Sequence, residues 1–383
     1  MKNFIAKSVF FFFVFYLSLN NYIVNGNSGK TDLHEGRPGS TRPNVKELLN
    51  SFKAKGKGII TAYYGSWASW DATSKMHHLI NSNVNVIYVA FARVDMKYPG
   101  LQTLLSTPSS LLHQTGLEYT EVRQYFDDVK KLRTARPDVI VLLSLGGVTY
   151  MPNTLDGALS AVPDIVSMVD DLGFDGVDLN YAPSGFFDHL NTQVTADYYI
   201  KYINLIRENM CDDKIISISL SSNGALNCVA QNLELCSDPN NPYNKEYFDK
   251  QTVKTELKRV AQMGSAGSGI YLMNQLKEKL DMIFVQTYNF INAMDNTVFI
   301  DLYDSWYNYG KKYNYVIIMG FTNQVNVYLF PAFDLEYVKK VSAGIKTNNE
   351  QMKRADGLGL WVVVPNIVSS VDPIIKNFVT ALH

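Results

Sequence analysis

A single (β/α)8 TIM barrel is the fold this sequence predicts, and three observations carry the prediction. Eight apolar, β-rich runs recur along the chain, helical patterns lie between them, and no linker separates two domains. A chain of 383 residues is long enough to bury one barrel core of ordinary size. A doubly wound sheet is the competing architecture, but the chain lacks the phosphate-binding loop such a sheet commonly carries.

The runs come in order as GIITAYYG (58–65), VNVIYVAFA (84–92), DVIVLLSLGG (138–147) and GFDGVDLNY (173–181). KIISISLSS (214–222), LDMIFVQTYN (280–289), YVIIMGF (315–321) and GLGLWVVVP (357–365) complete the set. Several are apolar on both faces, as a parallel sheet covered by helices requires. Amphipathic helices are predicted between them at 119–135, 195–209 and 334–346. Residues 223–255, which hold two of the cysteines, read as an elaborated loop after the fifth strand. The expected barrel domain is 56–383, preceded by a polar arm with a short amphipathic helix over 27–55.

Residues 1–26 read as a signal peptide. Lys2 and Lys7 lead an apolar run over 8–19, closed by Asn20 and Asn21. Those twelve residues span about 18 Å as a helix, short of a bilayer core of about 30 Å. No later stretch is long and apolar enough to span, so the expected location is secreted or an extracytoplasmic lumen, a vacuolar compartment included. A formal net charge of −1 gives no reason to expect nucleic acid as a partner. Cys211, Cys228 and Cys236 lack zinc-ligand spacing and leave three single-bridge pairings open. No metal or other cofactor is expected, and no Asn-x-Ser/Thr glycosylation acceptor occurs.

In a barrel of this kind the site lies at the C-terminal ends of the strands. The residues there are Tyr63, Tyr64, Phe91, Ser144–Gly147, Asp178, Asn180, Gln286, Tyr288 and Trp361. Aromatic faces, amides and one acid converging on one mouth describe a carbohydrate cleft, because sugar rings stack on aromatics and their hydroxyls bond polar groups.

The order of these motifs resembles glycoside hydrolase family 18, the chitinases and their inactive relatives, over about 58–383. The family's Ser-x-Gly-Gly stands here as Ser144, Leu145, Gly146 and Gly147. Its Asp-x-x-Asp-x-Asp-x-Glu signature stands as Asp175, Asp178, Asn180 and Ala182. Tyr288 in FVQTYN resembles the family's sixth-strand tyrosine, and Trp361 its substrate-supporting tryptophan. The resemblance implies a reaction in which the glutamate of the signature protonates the glycosidic oxygen while the substrate's own N-acetyl group attacks the anomeric carbon. Here Ala182 stands at the degenerate catalytic position and Asn180 at the orienting acid. General acid catalysis is typically worth about 10²–10⁴-fold in rate, and alanine cannot supply it.

The expected function is therefore a secreted non-catalytic chitinase-like protein that binds an N-acetylglucosamine-type glycan or a partner protein. The ligand-binding candidates are Tyr64, Phe91, Asp178, Asn180, Gln286, Tyr288 and Trp361. The alternatives are an interaction scaffold with a closed sugar cleft, or a glycosidase whose acid has moved to Asp188. Structural readings stand beside these: Asp178 as a buried acid paired with Tyr288 or a backbone amide, and Ser144 with its glycines as packing. Likewise His77–His78 reads as a helical pair without metal partners, and residues 127–131 as a solvated helix face.

Overall fold

The computed structural model describes residues 44–68, 75–106, 111–119, 122–147, 150, 154–180, 192–226, 255, 257–258, 266–288, 298–322, 335–363 and 368–383. All belong to the compact unit Thr41–His383. The proposed signal peptide, the polar arm, Ala182, Asp188, Cys228 and Cys236 lie outside the described residues, as does most of the loop 223–255.

Eight parallel strands close into a barrel in sequence order. They are β1 (Ile60–Gly65), β2 (Val86–Ala92), β3 (Ile140–Gly146), β4 (Gly176–Asn180), β5 (Ile215–Ser221), β6 (Met282–Gln286), β7 (Val316–Thr322) and β8 (Gly357–Val363). Seven of the eight predicted β runs contain their strand whole, and β7 extends one residue beyond its run, to Thr322. The principal helices are α1 (Val45–Lys55), α2 (Val122–Ala135), α3 (Val162–Leu172), α4 (Thr192–Asn209), α5 (Ser268–Leu276), α6 (Val298–Tyr313), α7 (Leu335–Met352) and α8 (Val368–Leu382).

Alternation along the strands splits the core in two. Val177, Leu179, Ile216 and Ile218 face outward and pack with helix residues such as Val129 and Ile165. Tyr63, Tyr88, Leu142, Phe284 and Ile318 face inward and fill the barrel. The first helix belongs to that inner core. Val45 and Leu49 bury against the same cluster as Ile59, Val316 and Ala355, at the N-terminal ends of the strands. Asn44 caps α1 by accepting from the Lys46 and Glu47 amides at 2.9 and 3.3 Å, and Lys53 Nζ donates to the Asn314 carbonyl at 2.8 Å. Thus α1 seals the floor, at the end opposite the mouth.

The residue immediately before each even strand repeats one device. Asn85 accepts from Ile60 N, Asp175 from Val141 N, Asp281 from Ile216 N and Asp356 from Ile317 N, at 2.7–2.9 Å. Each therefore pins the start of the preceding odd strand. The three aspartates are held in turn by Arg133, Arg207 and Arg354 at 3.0, 2.9 and 2.7 Å. Such charge-assisted bonds are shorter and stronger than neutral ones.

The expectation that residues 127–131 form a solvated face needs correcting at two positions, since Val129 packs in the outer core and Asp128 is buried as well. Asp128 is buried, accepting from the Met76 and His77 amides at 2.7 Å and contacting His77 Nδ1 at 2.5 Å. It tethers the short 3-10 helix Met76–Asn81, which stands between β1 and β2, to α2. The His77–His78 pair takes its place in this tether.

Candidate functional site

The inward positions near the C-terminal ends of β3, β4 and β5 are polar, and the register sets them side by side. Ser144 pairs with Asp178, which pairs with Ser217; Gly146 pairs with Asn180, which pairs with Ser219. Asp178 is fully buried, so its carboxylate must be solvated by side chains. Tyr63 OH and Ser144 Oγ each donate to Asp178 Oδ2 at 2.7 Å, and Ser219 Oγ approaches Oδ1 at 3.4 Å. Tyr63 OH also makes a short contact with Ser219 Oγ.

Burial pushes the Asp178 carboxyl above its ordinary value, with the bonds from Ser144, Tyr63 and Ser219 opposing the shift. Burial likewise raises the Tyr63 hydroxyl, and the neighbouring Asp178 charge adds to the effect. The partners of Asp178 are thus Tyr63, Ser144 and Ser219, where the sequence reading offered Tyr288 or a backbone amide. Ser144 is more than packing.

One step toward the mouth, Gln286 Nε2 donates to Asn180 Oδ1 at 3.2 Å, and both residues are buried. An amide pair therefore occupies the next layer. Beside it stands an aromatic group. Trp361 is half-buried, stacked on Phe91 with centroids 5.4 Å apart and on Tyr288 at 6.3 Å, and Tyr63 meets it edge-on at 5.0 Å. Gly147 admits the Phe91 ring: it adopts φ +67°, and a Cβ there would stand 2.7 Å from that ring.

Six of the seven ligand-binding candidates thus face the barrel interior: Phe91, Asn180, Gln286, Tyr288 and Trp361 at the mouth, with Asp178 a layer below. The seventh does not. Tyr64 is turned outward and buried beneath the helix layer, in the cluster that holds Tyr119. Tyr63 takes the inward place. Ser219 was also missed, although the serines of IISISLS recur every second residue and mark an inward polar line. Among the described residues no group of three His, Cys, Asp or Glu side chains is arranged to hold a metal ion, and no helix is long and apolar enough to cross a membrane. Cys211 is an exposed free thiol.

The family model of glycosyl hydrolases family 18 matches residues 59–368. The chain belongs to glycosyl hydrolases family 18. A chitinase of Plasmodium falciparum (isolate 3D7) is 48% identical over 353 residues, covering 91% of this chain and 93% of that protein. Among solved structures, a family 18 chitinase from Pseudoalteromonas aurantia superimposes with a TM-score of 0.54 at 18% identity, over 85% of this chain and 100% of that one. A family 18 chitinase from Chromobacterium violaceum gives 0.54 at 14% identity, over 94% and 91%. At those identities the structural likeness speaks for the fold. The family 18 match begins at residue 59, so the floor-sealing α1 lies ahead of it.

Proposed function

We propose that this family 18 barrel binds a glycan in its mouth without cleaving it. The observation that carries the reading is the polar row on β4. It runs from a buried acid at Asp178 to an amide at Asn180, and the next position of that alternation in the sequence is Ala182. The family reaction needs a proton donor at that place and a carboxylate beside it. Asp178 is a poor substitute, because two bonds at 2.7 Å hold it in the barrel interior, a layer below the mouth.

What remains suits binding: a half-buried indole, flanking aromatic rings and a neutral amide pair. The 48% identical relative named a chitinase supports an N-acetylglucosamine-type glycan as the ligand class. The leader expected over residues 1–26 supports a location outside the cytoplasm, which sequencing the mature amino terminus would check.

The test is to incubate the protein with N-acetylglucosamine oligomers and to measure binding by calorimetry in parallel. Binding without turnover above a heat-inactivated control is expected. Turnover abolished by Asp188→Asn would instead mean that the acid has moved. One observation favours a second reading, a protein scaffold with a closed cleft: Phe91 and Tyr288 are each only 6% exposed. No oligosaccharide binding at millimolar concentration would decide for the scaffold.

A further inference from the structure

The floor of the barrel is basic on one side. Every connection that enters a strand lies at this end, because the strands are all parallel and start here. The successive connections into β6, β7, β8 and β1 present exposed lysines: Lys277 before β6, Lys311 and Lys312 before β7, Lys353 before β8, and Lys55 and Lys57 before β1. The exposed acids in these connections are Glu278 and Glu350. The remaining connections differ. Residues 82–85 before β2 carry no charge, and Arg136 and Asp138 before β3 pair at 2.9 Å. Asp175 before β4 binds Arg133, and Asp212, Asp213 and Lys214 precede β5.

The basic connections touch one another and form one arc. Tyr315 OH donates to the Lys277 carbonyl, joining the connection before β7 to that before β6. Lys53 donates to the Asn314 carbonyl, joining α1 to the same stretch. A Cβ on Gly56 would stand 3.0 Å from the Asn349 carbonyl oxygen, at the end of α7. Beyond Gly56, burial together with the Lys57 and Lys346 charges holds the His383 imidazole below its ordinary value. Among the described residues, none of the arc's exposed lysines is ion-paired with an acid.

Helix ends explain part of this. Lys55, Lys311 and Lys312 lie in the last turns of α1 and α6, where a cation complements the helix dipole. Lys277 and Lys353 are different. They follow α5 and α7 with φ of +43° and +52°, the left-handed backbone that favours glycine. A lysine there gives up backbone stability for a projecting charge. Next to Lys353 stands Met352, 44% exposed, more than any other large apolar side chain among the described residues.

We infer that this arc docks the barrel on an anionic lipid surface. Lysines at one end of a parallel barrel share one level, so they meet a plane together, whereas a linear polymer would have to follow the curve. Each lysine near an anionic bilayer adds to the attraction, and Met352 supplies an apolar contact to the headgroup layer. The chain's net charge of −1 makes this attraction a property of the face rather than of the whole molecule. Docked by its floor, the barrel holds its mouth away from the membrane.

The experiment is co-sedimentation of the full chain with vesicles of phosphatidylcholine alone and with about one quarter phosphatidylserine. Binding is expected to the anionic vesicles only, and to weaken as salt rises. Lys277→Gly with Lys353→Gly should lower partitioning about twentyfold, at about fivefold per lysine, while the melting temperature holds or rises because glycine suits both turns. Lys311→Gln with Lys312→Gln, at the exposed end of α6, should show a similar fall. Lys130→Gln with Lys131→Gln, exposed on α2 outside the arc, should bind as wild type does. Equal binding to both kinds of vesicle, or arc variants that partition like wild type, would overturn the inference. Retention on heparin without vesicle binding would overturn it too, in favour of a linear sulfated polymer.

Discussion

Replacing Asp178 separates the two jobs a buried carboxylate can do, holding structure and meeting a ligand. Asp178→Ala strands the Tyr63 and Ser144 hydroxyls, which now donate to one oxygen at 2.7 Å. A buried donor left unsatisfied costs about 1–3 kcal/mol, and the small cavity adds to it, so a loss of about 3–5 kcal/mol is expected. For a chain of this size that lowers the melting temperature by roughly 5 °C, readable by near-ultraviolet circular dichroism. Asp178→Asn keeps one acceptor and isolates the charge. Burial raises the native carboxyl above its ordinary value, so the folded state holds a proton that the unfolded chain releases. That contribution is whole below the unfolded value of about 3.9 and is lost as pH rises through the raised native value. The asparagine variant has no such titration. The stability gap between wild type and Asp178→Asn should be widest at acid pH and should close as pH rises. A gap that widens with pH would refute the reasoning, because it would mean the anion is the form the fold prefers. An Asp178→Ala protein as stable as wild type would refute the hydrogen-bond argument separately.

Trp361→Ala should weaken oligosaccharide binding tens- to hundreds-fold by calorimetry, since an engaged indole contributes a few kcal/mol by area; a melting curve beside it will register the lost contacts to Tyr63, Phe91 and Tyr288. Asp356→Ala removes the acceptor for Ile317 N, Arg354 and Tyr303 at once and leaves a buried guanidinium unpaired, so chemical denaturation should show a loss of about 3–5 kcal/mol. Leu49→Asp would bury a carboxylate in the barrel floor, so the melting temperature should fall markedly; an unchanged one would mean that α1 does not seal that end. Introducing Ala182→Glu with Asn180→Asp should give no measurable hydrolysis of a fluorogenic chitin oligomer, and turnover above the single variants would mean the sugar subsites survived intact.

The barrel was legible because its signal is repeated: eight apolar runs with helical spacing leave few topologies open. Side-chain phase was harder to read where both strand faces are buried. In GIITAYYG every residue from Ile60 to Gly65 is buried, so alternation of polarity carries no information and nothing in the run distinguishes Tyr63 from Tyr64. Where a polar residue recurs at period two, as in IISISLS, the inward face was written in the sequence. Asp128 shows the opposite difficulty: its neighbours Asp127 and Lys130 are exposed, and only the chain at Met76 and His77, 52 and 51 residues away, turns one charge of that helix into a buried anchor.

The strand-four signature is instructive for the same reason. Its acids look like one chemical unit in sequence, yet Asp175 and Asp178 answer to different constraints. Asp175 precedes the strand, binds Arg133 and pins Val141, and it shares that task with Asp281 and Asp356 on strands without any such signature. Selection for a closed barrel suffices to account for it. Asp178 points inward and is held by three hydroxyls, so it too has a structural reason to persist. Asn180 lies where neither constraint requires an acid, and in the sequence the series then ends at Ala182. The acids that remain in the signature are those the barrel itself uses, which supports the proposed reading of a mouth that binds without proton transfer.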